Sequence, residues 1–246
     1  MSMVFGEVAG LYDQTRPGYL PGIADVVLEY AGDPPAGAAE IGAGTGKATS
    51  LFAGRGFPIT CVEPDNRMSE LLAARFPDVT VATVTFEDWT PPDGGVDLLY
   101  AALAWHWLDP GTRVPLAARA LAPGGTLALI DRTSRHLDPE LGNRIREAFH
   151  RFGPASGDRA PLPELALPEL GANRSLTDPT TWQGEREVTQ PTGLFLRQLQ
   201  TLSPFRRRTP ENQQNLLAEL ERTIDAHGGT VGTRTVTSLV LARKVA

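Results

Sequence analysis

The stretch AAEIGAGTGKAT, residues 38–49, places a glutamate inside a short apolar run and then a glycine at every second position. AAEI (38–41) reads as a buried strand, Gly42 to Gly46 as the turn after it, and a helix begins near Lys47. Working outward, the same order repeats. Strand candidates are PITCVE (58–63), VTVATV (79–84), VDLLY (96–100) and TLALID (126–131). Further helices begin near Asn66 and Gly111, the last with Val114, Ala117, Ala118 and Leu121 on one face. Strands alternating with helices predict βαβ units and a parallel sheet covered on both faces, an α/β fold.

The flanks complete the organisation. Phe5, Val8, Ala9 and Tyr12 sit at i, i+3, i+4 and i+7, an amphipathic helix, and Ile23, Val26, Val27 and Tyr30 repeat the pattern after RPGYLPG. Beyond Arg132 the alternation stops. A helix is expected with Leu141, Ile145, Ala148, Phe149 and Phe152 on its buried side. Residues 153–180 hold many prolines and glycines without a period, and read as an irregular segment. Such a segment is either a functional lid or a plain surface excursion. The chain recovers with WQGEREV (182–188), two helices and a final strand in TVTSLVLARKV (235–245). Thr209-Pro210-Glu211 is an N-cap followed by proline at the first helical position. The expected division is one domain: a helical lid at 1–36, a ligand-binding core at 37–132, a lid or substrate insertion at 133–180, and completion of the same sheet at 181–246.

Composition excludes several classes of function. The chain of 246 residues is 41% hydrophobic and 21% charged, ordinary for a globular protein. Its net charge of −6, without a run of like charge, argues against a nucleic-acid or anionic-membrane partner. Cys61 is the only cysteine, so an intrachain disulfide and a cysteine metal cluster are both excluded, and no metal is expected. Its context, ITCVE, predicts an inert buried thiol. MSMVFGEVAG lacks the basic start and apolar core of a signal peptide, and LLYAALAW (98–105) is too short to span a bilayer. A cytoplasmic protein is the expectation.

The glycine spacing narrows the ligand. In an open parallel sheet, ligands bind beyond the carboxyl ends of the strands, where this turn lies. Glycine permits positive φ and lets a ligand lie against the backbone. The dinucleotide pattern G-x-G-x-x-G would need glycine at 47, where Lys47 stands. The phosphate-loop pattern G-x-x-x-x-G-K-[ST] fails at Ile41 and Ala48. What remains is E-x-G-x-G-x-G. Glu40 so near a ligand suits a cationic group better than a pyrophosphate. Glu63 follows Gly42 by 21 positions, about the 20-residue distance at which an acid holds a ribose hydroxyl in such folds. A ribose, a positive end and no phosphate describe S-adenosylmethionine.

At these residues the chain resembles the class I S-adenosylmethionine-dependent methyltransferases over residues 38–131. EIGAGTG resembles their first motif, VEPD (62–65) the acidic end of their second strand, and FEDW (86–89) their adenine loop. VDLLYAALAWHW (96–107) is similar to their fourth strand with its following helix, and LAPGGTLALID (121–131) to their fifth-strand signature. VAGLYDQTRPGY (8–19) and ALAWHW look like small-molecule enzymes of the methyltransferase type 11 or trans-aconitate methyltransferase kind. The resemblance implies a Rossmann-like sheet of seven strands, the last antiparallel, with S-adenosylhomocysteine as the product left behind. It implies a cofactor site at Glu40, Gly42, Ala43, Gly44, Gly46, Glu63, Pro64, Phe86, Glu87 and Ala101, covered by Tyr12 and Arg16. Glu40 would lie near the methionine part, Glu63 on the ribose, and Phe86 and Glu87 beside the adenine. Two positions depart: Thr85 stands where many relatives have an aspartate, and Leu103 where the trans-aconitate subgroup often has glutamine.

Methyl transfer asks the protein mainly for placement. A carboxylate acceptor needs no base, whereas a hydroxyl or ammonium must lose a proton. His106 is the candidate base, with packing between Trp105 and Trp107 as the other reading. Trp105, Trp107 and Tyr19 are candidate substrate contacts, though the tryptophans equally suit the core or the cofactor wall. Arg16 could pair a carboxylate through its planar fork. Arg206, Arg207 and Arg208 form either a solvated face or, turned inward, a site for an anion. The leading expectation is a methyltransferase acting on oxygen, nitrogen or carbon of a small molecule, a carboxylate among them. The alternative is a protein of this fold that binds the cofactor without methyl transfer or uses it for another reaction. A nicotinamide-dependent dehydrogenase is disfavoured by the glycine spacing.

Overall fold

The computed structural model describes residues 6–153 and 160–245. A turn of 3-10 helix at Gly6–Val8 leads into α1 (Ala9–Thr15), followed by α2 (Ile23–Ala31). The core then runs β1 (Ala38–Ile41), α3 (Thr49–Phe52), β2 (Ile59–Val62), α4 (Asn66–Arg75), β3 (Thr80–Ala82), β4 (Val96–Ala102), α5 (Arg113–Ala120) and β5 (Leu121–His136). It continues with α6 (Pro139–Arg151), α7 (Leu162–Ala172), β6 (Leu176–Pro191), α8 (Thr192–Leu199), α9 (Ser203–Arg206), α10 (Pro210–Asp225) and β7 (Thr230–Lys244). Phe5, expected on the first helix, lies outside the described residues.

The seven strands form one sheet in the order β3-β2-β1-β4-β5-β7-β6. β1 pairs in parallel with both β2 and β4, and β7 runs antiparallel between β5 and β6. Alternation along β1 and β4 sends side chains to opposite faces. Ala39, Ile41, Leu99 and Ala101 pack beneath α5 and α7, while Ala38, Leu98 and Tyr100 pack beneath α2 and α3. Cys61 is buried on the second face, and burial pushes its thiol up, away from ionisation. No helix among the described residues is long and apolar enough to cross a membrane.

Two expectations change. The segment expected to be irregular, 153–180, contains α7, and Leu162, Ala166 and Leu170 on that helix enter the main core one turn apart. Proline is tolerated in a first turn, and α7 carries Pro168 in its interior. The cap over the sheet also extends past the stretch 133–180, which gives it α6, to the helices after β6. It is a separate apolar cluster built by α6, α8, α9 and α10, with Ile145, Leu199, Phe205, Leu216 and Leu220 at its centre. Thr209 does cap α10, accepting the Asn212 N–H.

The outer strands are longer than their apolar cores. β4 last pairs with β5 at Ala102–Ile130, yet β5 continues to His136 against β7, and β7 pairs with β6 as far as Thr230–Pro191. The three strands therefore overhang the carboxyl end of the parallel sheet, and the helical cap sits on that overhang.

Candidate functional site

Strand order reverses between β1 and β4, and the loops after β1, β2 and β4 meet there. Gly42, Gly44 and Gly46 all have positive φ, 63°, 58° and 84°. Their reasons differ. A Cβ on Gly42 would stand 2.6 Å from the Cβ of Ala104, so glycine lets the first turn touch the loop after β4. Gly44 faces open space within the cavity. Gly46 faces inward, where a Cβ would meet the Phe76 ring at 2.5 Å, so it serves packing against α4.

Glu63 joins the first two loops. Its carboxylate accepts the Gly44 N–H at 2.8 Å and the Asp65 N–H at 2.9 Å, and the residue is only 4% exposed. Burial raises its pKa, and the two backbone donors pull it back. Asp65 caps α4 and binds Arg67 through both oxygens, which holds its carboxyl below the usual range. Glu40 is 1% exposed and lines neither of the two cavities at this edge. One of its oxygens accepts from Thr49 Oγ1 at 2.6 Å and from the Tyr100 hydroxyl at 3.0 Å. Burial, with Glu63 nearby, pushes its pKa up to about 8 despite these donors.

Two cavities meet at this edge. The first, about 270 Å³, is walled by Tyr12, Arg16, Gly42, Gly44, Glu63, Asp65, Met68, His106 and Trp107, among others. The second, about 280 Å³, lies between Pro64, Thr85, Phe86 and Glu87 on one side and Trp107 and Leu108 on the other. They share Gly42, Ala104 and Trp107, so they adjoin along the strand ends. Thr85 bonds Asp88 and closes its own turn. Its hydroxyl is therefore committed locally.

The N-terminal helix covers the first cavity. Asp13 accepts from Thr45 Oγ1 at 3.1 Å, lies 3.2 Å from the Lys47 ammonium, and pairs with Arg75 at 2.9 Å. Three cationic or hydroxyl donors thus pin α1 to the glycine turn and to α4. Arg16, just past α1, donates to Thr201 Oγ1 at 2.7 Å and lies over the Tyr12 ring.

Residues 39–129 match the family described as the methyltransferase domain. This segment of the chain belongs to that family. An uncharacterised methyltransferase of Mycobacterium tuberculosis is 37% identical over 169 residues, 67% of this chain and 66% of that protein. The trans-aconitate 2-methyltransferase of Rhizobium meliloti is 36% identical over 176 residues, 69% of this chain and 61% of that one. The matched part thus spans just under two thirds of these methyltransferases. A structure described as a candidate type II methyltransferase, from Anaeromyxobacter dehalogenans, covers 94% of this chain and 98% of its own at a TM-score of 0.68 and 24% identity, which shows the fold.

Not every residue expected at a methyltransferase site reaches the cavities. Gly42, Gly44, Glu63, Pro64, Phe86, Glu87, Tyr12, Arg16, His106 and Trp107 do. Glu40, Ala43, Gly46 and Ala101 do not. Ala43 and Ala101 are buried in opposite faces of the core, and Ala102, Leu103 and Ala104 form the wall instead. Trp105 is a core residue beneath the Arg113 guanidinium, as the packing reading of the tryptophans has it. Tyr19 lines neither cavity and lies under Arg132. Arg206 pairs with Glu7, and Arg208 binds the Phe149 carbonyl at 3.1 Å, so both tie helices together. The sequence reading missed Asp65, Met68, Leu202 and Ser203 on the first wall. Asp65 had a signal, since it stands as an N-cap two residues after Glu63.

Proposed function

We propose that this chain is an S-adenosylmethionine-dependent methyltransferase acting on oxygen, nitrogen or carbon of a small molecule, with carboxylates among the acceptors, in the cytoplasm. One observation carries the reading. The two adjoining cavities have glycine backbone and Glu63 at one end, an aromatic slot at the other, and no cation along the slot. That arrangement suits a nucleoside bearing a cationic amino-acid tail, and the slot itself holds no cation for a phosphate. Glu63, held by two backbone amides, adds negative potential at the turn, whereas the buried Glu40 behind it, with a pKa of about 8, adds charge only as it loses its proton.

When bound, the cofactor supplies an activated methyl whose sulfur keeps the bonding electron pair. The chain's residues supply placement. Gly42 and Gly44 admit the tail against the backbone. Glu63, fixed by two amides, would accept from the ribose hydroxyls, and Phe86 with Glu87 would flank the base. Tyr12 and Arg16 would close over the cavity and exclude water. His106, against the Trp107 ring at 4.8 Å between centroids, would take the proton from a hydroxyl or ammonium acceptor.

Thermal shift with S-adenosylhomocysteine and with NADH tests the cofactor. A ligand near 100 times its dissociation constant stabilises by roughly 2.7 kcal/mol, several degrees in midpoint. Stabilisation by S-adenosylhomocysteine alone is expected, and stabilisation by NADH alone would refute the reading. Glu63→Ala should weaken S-adenosylhomocysteine binding by roughly 1–3 kcal/mol. Turnover of S-adenosylmethionine with any acceptor separates transfer from binding alone.

A further inference from the structure

Beyond the cofactor cavities, a third cavity of about 390 Å³ lies under the helical cap. Its floor is the overhang of the sheet. Arg132, Ser134 and His136 on β5, Thr233 and Thr235 on β7, and Arg186 and Val188 on β6 project from one face at alternate positions. Its roof is apolar, from Ile145 and Phe149 of α6 and Phe195 and Leu199 of α8. Arg16, Leu103 and Leu202 belong to both this cavity and the first, so they form the partition between them.

The charges in this cavity are uncompensated. Arg132 donates to the carbonyls of Pro17 and Gly18, Arg186 to the carbonyl of Gly18, and Arg16 to Thr201. All these acceptors are neutral, and none of the three arginines pairs with a carboxylate among the described residues. Elsewhere the chain pairs its arginines freely, as at Arg113–Glu169, Arg234–Glu187 and Arg151–Glu219. No acidic side chain lines the cavity. Arg132 also disfavours the charge on both Arg16 and Arg186, after burial itself, which marks three guanidiniums converging without a counter-ion. In a chain of net charge −6, that concentration of positive charge needs an anion. Planar guanidiniums suit carboxylate or phosphate oxygens.

We infer that this third cavity is the acceptor chamber and takes a small organic anion with an apolar body. Arg132 and Arg186 hold the anionic group, and Phe149, Phe195 and Leu199 cover the hydrocarbon or aromatic part. The inference rests on the methyltransferase reading for what lies across the Arg16–Leu103 partition, but its charge and shape do not depend on it.

Titration calorimetry on the full chain saturated with S-adenosylhomocysteine tests it. The probes are phenyl-substituted carboxylates from benzoate to 6-phenylhexanoate, their neutral amides, phenyl phosphate and citrate. At least one phenyl carboxylate or phenyl phosphate should bind about tenfold or more tightly than the matching neutral probe, and Arg132→Met and Arg186→Met should each remove about tenfold. The better of the carboxylate and phosphate arms names the anionic group. Equal binding of acid and amide, or binding untouched by both substitutions, overturns the anion site. Binding of citrate alone overturns the apolar body, and binding of no probe overturns the chamber. S-adenosylhomocysteine affinity, measured first on every variant, confirms folding. If the wild type fails to bind it, the cofactor reading falls, and the same probes titrated into the unliganded chain still decide the chamber.

Discussion

The Tyr100 hydroxyl donates to Glu40 Oε2 at 3.0 Å, on the same oxygen that accepts from Thr49 at 2.6 Å. Two hydroxyl donors on a fully buried carboxyl do not offset its lost hydration, and its pKa lies at about 8, against 4.5 for the free group. The folded chain therefore binds a proton that the unfolded chain has released, over the window from about 4.5 to about 8. In that window stability falls as pH rises. Below it Glu40 is neutral in both states and costs nothing. Glu40→Gln keeps the acceptor oxygen and removes the ionisation. The variant should match the wild type at about pH 4 and exceed it by about 2 kcal/mol or more at about pH 9, in urea denaturation. An identical difference at both pH values would show that Glu40 is ionised throughout. Binding of a cationic cofactor should also expel part of this proton, visible as a buffer-dependent heat in calorimetry.

Leu103 has φ of 56°, the one described non-glycine residue in the left-handed region. Its N–H still donates to Ile130 at 2.9 Å, so the strand ladder holds the backbone there, and the side chain serves as part of the partition. Such a residue costs on the order of 1 kcal/mol in backbone strain. At an ordinary site alanine is more stable than glycine by roughly 0.5–1 kcal/mol. Here the order should invert. Leu103→Gly should unfold at higher urea than Leu103→Ala, since both lose the side chain and only glycine loses the strain. Alanine at or above glycine would remove the strain argument.

The parts of the fold legible in the sequence are those where one physical pattern acted alone. Buried parallel strands read as apolar runs, so β1, β2, β4 and the first half of β5 were plain. The rest of β5 was hidden because both its faces are polar. Arg132, Ser134 and His136 line the third cavity from one face, Arg135 also reaches its wall, and with Thr133 between them no apolar alternation survives. The charged chamber was invisible for the same reason, since Arg132, Arg186 and Arg16 come from three segments that only the long antiparallel pairing unites. α7 was masked by its prolines, although Leu162, Ala166 and Leu170 repeat every fourth residue. At the candidate site, motif spacing pointed to the glycine turn and Glu63, which line the first cavity. It could not say that Gly46 faces Phe76 or that Glu40 turns toward Thr49, because spacing carries no side-chain direction.

Asp13 predicts a separation of stability from ligand retention. Its ionic partners Lys47 and Arg75 are partly exposed, where each ion pair is worth about 0–1 kcal/mol, and only Thr45 is buried. Asp13→Ala should lower the melting temperature by only a few degrees. Its effect on binding should be larger, because α1 carries Tyr12 and leads into Arg16, both on the cavity wall. S-adenosylhomocysteine affinity should fall several-fold, mainly through faster release, as followed by stopped-flow displacement. A melting temperature that drops while affinity holds would mean that α1 does not cover the ligand.

The Arg113–Glu169 pair predicts an asymmetry. Arg113 is 5% exposed on α5, donates to the Trp105 carbonyl at 3.0 Å, and lies over the Trp105 ring. Glu169, on α7, keeps 27% of its side chain in solvent and accepts from Arg113 Nε at 2.9 Å. Removing the acid strands a buried guanidinium, whereas removing the arginine leaves a carboxylate that water can reach. Breaking a fully buried pair costs roughly 3–5 kcal/mol, and the exposure of Glu169 lowers that to about 2 kcal/mol for Glu169→Leu. Arg113→Met should cost less than Glu169→Leu, and the double variant should recover to within about 1 kcal/mol of the wild type. Urea midpoints of the four proteins measure the cycle. If the two single variants lose equal stability and the double loses their sum, the pair does not couple α5 to α7, and α7 is held by Leu162, Ala166 and Leu170 alone.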